Sequence, residues 1–123
     1  MKNLFRAALL ASLLAGGMRV ALAHHSYAAF DVTTQRDISG TVKKFDWTNP
    51  HSWITLEVLG PQNRVDEWHV ELPPAGELAR EGWNKNFVKI GERLVVHINP
   101  LKDGGKGGIL EGFSFDDRPV SQR

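Results

Sequence analysis

The stretch ISGTVKKFDW, residues 38–47, decides the fold that we predict for this chain. Apolar or small residues alternate with polar ones as far as Val42, as in a strand that buries one face. From Phe45 onward the aromatic residues occupy positions of the opposite parity. The parity changes at Lys43 and Lys44, which predicts a β-bulge, and a bulge bends the strand that contains it. A sharply bent first strand suits a small closed barrel.

The rest of the sequence supplies four more strands and one short helix. Alternation predicts strands over 52–59, 64–72, 86–100 and 109–115. The segment GELAREG, residues 76–82, can form about two helical turns before Gly82 ends them. The segment LKDGGKGG, residues 101–108, reads as a flexible connection, since it lacks the Gly-Lys-Ser/Thr ending of a phosphate-binding loop.

Three strands, a helix and two strands is the order found in the OB-fold, a five-stranded Greek-key barrel. We therefore predict an all-β protein, a small OB-like barrel with one short helix between strands 3 and 4. The alternative is an open β-sandwich built from the same strands.

The residues before this domain have the composition of an export signal. Lys2 and Arg6 precede the apolar run AALLASLLAGGM, and the small-residue site Ala21-Leu22-Ala23 follows it. The run is shorter than the ~20 residues that a helix needs to cross a bilayer. We expect the protein to be periplasmic or secreted. The predicted segments are a cleaved signal peptide over 1–23, a lead-in over 24–35, the barrel over 36–116 and a flexible tail over 117–123.

The charge and the composition of the sequence argue against several kinds of binding partner and of reaction. The sequence has 15 basic and 14 acidic residues, and three of the basic ones precede the expected cleavage site, so the processed chain would carry a formal charge of −2. That balance argues against a basic surface for nucleic acid, and no membrane contact is expected after cleavage. The absence of cysteine excludes disulfides and thiolate chemistry. No nucleophile motif is present, so we do not expect an enzyme.

Cleavage after Ala23 would place two histidines at the start of the processed chain. His24 would then carry a free α-amine, which can bind a metal ion together with its own Nδ1. One more imidazole would complete a three-nitrogen arrangement, the histidine brace, which favours Cu(II). His51 is the first choice for that imidazole, because a turn residue reaches the end of a barrel more easily than a mid-strand residue. The predicted metal ligands are His24, His25 and His51; the simpler interpretation is that these histidines are solvated.

A second group of residues predicts a binding surface for an unknown protein or a small ligand. The turn FDWTNPHSW, residues 45–53, places aromatic residues on both sides of a histidine. Two other histidines face away from the apolar residues of their own strands. The predicted surface comprises Trp47, Asn49, Trp53, His69 and His97. The simpler interpretation is a rigid turn whose tryptophans pack into the end of the barrel.

Four segments together resemble a family of small exported bacterial proteins classed as a domain of unknown function. They are AHHSYAAFD, GTVKKFDWTNPHSWITLEV, EWHVEL and LAREGWNKNFVKIGERLVVHINPLKDGGKGGILEG. The resemblance covers nearly all of the processed chain, and it implies export and a single small β-domain. It implies no activity, substrate or cofactor. The signature positions that it suggests are His24, His25, Trp47, Asn49, Pro50, His51 and Trp68.

Two functional hypotheses follow from the sequence. The first is a periplasmic β-barrel binding protein that holds Cu(II) through its processed N-terminal histidine. The second is a metal-free periplasmic module that binds a protein or a small ligand. Only the first requires a free amine at His24.

Overall fold

The structure is a computed structural model, and it describes residues 27–116. The predicted signal peptide, His24, His25 and the predicted tail over 117–123 lie outside the described residues. The strands are β1 Arg36–Asp46, β2 Ser52–Leu59, β3 Val65–Leu72, β4 Arg93–Pro100 and β5 Gly107–Phe115. One helix, α1 Ala75–Arg80, lies between β3 and β4, and a single 3-10 turn covers Pro61–Asn63. Within the described residues, no helix has the length and apolar character needed to span a membrane.

The five strands close into a barrel in the order β1-β2-β3-β5-β4. The neighbours are antiparallel except β3 and β5, which run parallel. Closure confirms the predicted five-stranded, OB-like all-β fold with its one short helix between strands 3 and 4. It also excludes the open sandwich.

The bulge in β1 lies where the change of parity predicts it. The register between β1 and β2 shifts between Val42 and Lys44, and Lys43 is the additional residue. Val42 is buried and Phe45 packs against the core, so the interior face continues across the bulge. Lys43 and Lys44 consequently both lie on the outer surface.

The barrel interior is filled by the alternating residues that the sequence predicts to face inward. The most deeply buried of them are Ile54, Leu56, Val70, Leu72, Leu94, Val96 and Ile98. One part of the core is extended by an aromatic cluster: the rings of Trp83 and Phe87 stack 4.2 Å apart, and Phe113 lies 5.0 Å from Trp83. Leu78 of α1 is buried against the same core.

The glycine pair Gly107-Gly108 closes the barrel. Both residues are buried and begin β5, where Gly107 pairs with His69 of β3 and Gly108 pairs with Pro100 of β4. A Cβ atom on Gly108 would lie 2.5 Å from the carbonyl oxygen of Asn99, so a side chain does not fit there. The prediction of a flexible connection as far as residue 108 is therefore wrong at its end, because close strand packing also requires glycine.

The lead-in is attached to the barrel along its described part. Phe30 is buried and forms an isolated bridge with Leu101. The amide of Asp31 donates to the carbonyl of Pro100 at 2.8 Å. These contacts fix the direction from which the chain enters the barrel.

Candidate functional site

His51 lies against a buried carboxylate. It follows Pro50 and precedes β2, and its Nδ1 is 3.1 Å from Oε1 of Glu71. The Glu71 side chain is 8% exposed, whereas that of His51 is 36% exposed. The carboxylate is thus shielded from water while part of the imidazole is accessible.

His51 also lines a small cavity with the first described residue. The cavity has a volume of about 140 Å³. Tyr27 lies on one side, the Pro73-Pro74 pair on another, and β5 contributes its segment 109–111. The start of the described chain and the predicted metal ligand His51 therefore share one cavity.

Glu71 is the residue that sequence reasoning missed. Its parity in β3 placed it on the outer face, and an outward glutamate is normally solvated. In the structure Glu71 is buried, with Trp53 of β2 and Ile109 of β5 as its register partners, whereas His69 on the same face of β3 is exposed. Alternation indicates the face on which a side chain lies but not what covers that face. A histidine in the turn before the neighbouring strand was the one available signal.

An open groove of about 480 Å³ crosses the outer face of β1, β2 and β3. Trp53 and Thr55 of β2 lie in it beside His69 of β3. Thr55 Oγ1 is 3.4 Å from His69 Nδ1. Because Trp53 is the register partner of Glu71, the groove adjoins the His51–Glu71 pair.

The charged side chains of the groove are paired with one another. Lys43 contacts Glu67 and lies 4.0 Å from Glu57, and Lys44 lies 2.9 Å from Asp46. The hydrogen bond and the charge of Lys43 lower the pKa of Glu67 below its ordinary value of 4.5. The same contact raises the pKa of Lys43 above 10.5.

His97 lies on a different part of the barrel. Its Nδ1 is 2.6 Å from Oδ1 of Asp37, its register partner in β1. On β5, His97 pairs with Gly112 whereas His69 pairs with Gly107. Five positions along a strand correspond to roughly 16 Å at about 3.3 Å per residue, so the two histidines are far apart.

The predicted binding-surface residues thus do not form one surface. Trp53 and His69 line the groove, and His97 lies elsewhere. Trp47 packs against the core, with its ring centroid 6.0 Å from that of Phe45. Asn49 is exposed in the turn.

The described residues do not form a metal site by themselves. Residues 27–116 contain no group of three or more His, Asp or Glu side chains arranged to hold a metal ion. The prediction that His24 and His25 bind copper falls outside those residues. It stays a prediction.

Solved structures similar to this one support the fold. Crystal structures of the mitochondrial single-stranded DNA binding protein Rim1 from S. cerevisiae match it with a TM-score of 0.50. One is 8% identical and covers 67% of this chain and 92% of that chain. A second crystal form is 7% identical and covers 67% and 91%. At such identities the similarity shows the OB-like fold alone, and the absence of a nucleic-acid partner stays a prediction.

The comparison with protein families covers most of the chain. No curated protein matches the sequence. A family model described as a family of unknown function, DUF6152, matches residues 11–111. This match confirms the resemblance to a domain of unknown function that the sequence motifs indicated. The chain belongs to the DUF6152 family.

Proposed function

We propose that this protein is a small exported β-barrel binding protein that holds a Cu(II) ion at its processed N-terminus. Cleavage after Ala23 makes His24 the first residue, and its α-amine and Nδ1 bind the ion. His51 supplies a third nitrogen. The role is to carry or buffer copper in the periplasm. The observation that carries the proposal is that Tyr27 and His51 line the same cavity.

Chain length supports the pairing of His24 with His51. His24 precedes Tyr27 by three positions, and an extended chain spans about 3.5 Å per residue. The chain from Tyr27 to the α-carbon of His24 therefore has a maximum reach of about 10 Å. His51 shares a cavity with Tyr27, which makes it the histidine that we assign as the partner of His24.

Glu71 gives His51 the chemical form that a metal ligand needs. With Nδ1 directed at the Glu71 carboxylate, the imidazole proton is held on Nδ1. Nε2 then keeps its lone pair for the ion. Metal-binding histidines commonly donate their other ring N–H to a carboxylate in this way, which fixes the ring orientation and raises its basicity.

The lack of a complete metal site in the described residues also fits the proposal. Within 27–116, His51 has too few neighbouring ligands to hold an ion. Two further nitrogens must come from another part of the chain, and an N-terminal histidine provides both of them from one residue. Nitrogen ligands in such a set suit Cu(II), which leads the affinity order of divalent first-row ions.

Ligand binding without a metal is the second candidate function. The observation that favours it is the groove of about 480 Å³ over β1, β2 and β3, which contains Trp53 and His69. This function does not depend on where the chain is cleaved.

A Cu(II) titration of the exported protein tests the copper proposal. Mass spectrometry first establishes that the purified chain begins at His24, and a second sample carries one extra residue before it. We expect tight one-to-one binding by the first sample and a loss of several orders of magnitude in the second. Equal binding by both samples, or a different first residue, would overturn the proposal.

Two histidine variants identify the third nitrogen. Loss of a residue that only orients a metal-binding histidine typically weakens metal binding roughly 10–100-fold. Because His51 is proposed to bind the ion itself, His51→Ala in the chain that begins at His24 should weaken Cu(II) binding by more than that. His97→Ala is the matched control, since that histidine also lies beside a carboxylate. It should bind as tightly as the unmodified protein.

A further inference from the structure

The groove over β1, β2 and β3 has an unusual electrostatic balance. It contains two lysines and two carboxylates, and these form pairs: Lys43 with Glu67 and Lys44 with Asp46. The bulge in β1 is the cause, because it places two consecutive lysines on the outer face beside acidic residues of β1 and β3. The groove therefore offers many donors and acceptors but no net charge.

The groove also contains a tryptophan, Trp53, that has no aromatic or cation–π partner among residues 27–116. Within residues 27–116, each of the other three tryptophans has an aromatic or a cation–π partner: Trp47 contacts Phe45, Trp83 contacts Phe87, and Trp68 lies under the Arg36 guanidinium at 5.4 Å. Trp53 has no such contact there, although it is half-buried on the groove floor. An unpartnered indole in a groove is a platform for a flat, weakly polar ligand surface.

Two further hydrogen-bonding groups lie near this indole in the groove. Thr55 is buried and His69 is exposed, and they face each other across β2 and β3. A hydroxyl and an imidazole can each donate or accept a hydrogen bond. They suit ligand hydroxyl groups, which have the same double capacity.

We infer that this groove binds a short, neutral oligosaccharide. The C–H face of a sugar ring lies on the Trp53 indole, and its hydroxyls bond to the lysines, the carboxylates and His69. Barrels of this class use the face of strands 2 and 3 for oligonucleotides or oligosaccharides. The charges favour the saccharide, because lysines that are already paired with carboxylates contribute less to binding a polyanion than unpaired lysines would. This inference rests on the metal-free function and is independent of copper.

The volume is consistent with a ligand of that size. Small-ligand sites enclose roughly 300–1,000 Å³, and this groove provides about 480 Å³. The groove is open to solvent, so a chain of several sugar units can extend beyond it.

The test is an NMR titration of the processed protein in EDTA with four probes. They are cellotetraose, maltotetraose, tetra-N-acetylchitotetraose and the oligonucleotide dT15. The signals of the four tryptophan indoles are followed, and Trp53→Phe assigns that of Trp53. We expect one of the neutral saccharides to shift the Trp53 signal and the amides of Thr55 and His69, with an affinity that added salt does not change.

Variants decide whether the groove is responsible. Trp53→Ala should weaken saccharide binding about tenfold or more, as truncation of an aromatic anchor does. His69→Ala removes an exposed side chain and should also weaken binding, whereas His97→Ala, on a different part of the barrel, should leave it unchanged. If Trp53→Ala does not fold, the comparison of saccharide binding by His69→Ala and by His97→Ala still tests whether the groove is the binding site.

Three results would overturn the inference: no shift with any saccharide, binding that His69→Ala leaves intact, or salt-sensitive binding of dT15 alone. EDTA keeps this test separate from the copper proposal. A failure here would not change the copper titration, and a failure of copper binding would not change these spectra.

Discussion

His51 and His97 each lie beside a carboxylate of another strand, but the surroundings of the two pairs differ. The His97–Asp37 pair is the closer, at 2.6 Å, and its side chains are 42% and 67% exposed. The His51–Glu71 pair is separated by 3.1 Å, and its carboxylate is 8% exposed. Water competes for the first pair and is largely excluded from the Glu71 carboxylate. Burial, rather than distance, should therefore decide which pair matters for stability and binding.

The two carboxylates also occupy different positions in the sheet. Glu71 has a paired strand on each side, β2 and β5. Asp37 pairs with His97 of β4, and the pairing of β1 with β2 begins only at Thr41. The same residue types in the same kind of pair thus acquire different environments from their positions in the barrel.

Removing each carboxylate should produce the largest difference between the pairs. Glu71→Ala should lower the free energy of unfolding by about 1.5–3 kcal/mol, because it deletes a shielded charged partner. Asp37→Ala should lower it by less than about 1 kcal/mol, as for an exposed ion pair. Urea denaturation at neutral pH measures both values. If both variants lose the same free energy of unfolding, burial of the carboxylate does not determine how much each pair contributes to stability.

An isosteric change tests whether Glu71 also positions His51 for copper. If the proposed copper site is correct, Glu71→Gln should weaken Cu(II) binding roughly 10–100-fold, because a neutral amide oxygen orients the imidazole less strongly than a carboxylate. The electron paramagnetic resonance spectrum of the bound ion should change as well. Asp37→Asn is the matched control and should alter neither. Unchanged affinity in Glu71→Gln would assign Glu71 a purely structural role.

The ion pair Lys43–Glu67 in the groove is exposed, so among the three pairs it should contribute least to the stability of the fold. Lys43 lowers the pKa of Glu67 below 4.5, so the pair stabilises the fold above that pH and the contribution disappears as the pH falls through the lowered pKa. The pKa of Lys43 is raised above 10.5, so its contribution is present below 10.5 and disappears as the pH rises through the raised value.

Lys43→Met should return the pKa of Glu67 to about its ordinary value of 4.5, measured by an NMR titration of its carboxyl group. Lys44→Met, which removes the partner of Asp46 instead, should leave the titration of Glu67 unchanged. A Glu67 pKa that stays low in Lys43→Met would mean that another group is responsible for its shift.

The sequence predicted the barrel well because the barrel follows local patterns. The alternation in β2 and β4 identified their inward residues, and the change of parity after Val42 identified the bulge. The start of β5 was missed because the close packing that requires Gly108 joins residues far apart in sequence, and a glycine pair looks the same in a loop.

The candidate site was less predictable for a related reason. His51 and Trp53 were identified from their places in and beside a turn, and His69 from its outward parity. The surroundings of Glu71 include β5, which follows it in the chain by more than thirty residues and pairs with it through Ile109. A pattern read along one strand contains no information about such a neighbour.

The short parallel pairing of β3 with β5 has a consequence for how the barrel fluctuates. Its register extends from His69 to Glu71, whereas β2 and β3 pair along their whole length. Local opening occurs where few bonds hold the backbone, so this seam should have the lowest opening free energy of the barrel wall. Because the seam contains one residue of the groove and the partner of His51, a ligand at either place should slow hydrogen exchange of the same few amides.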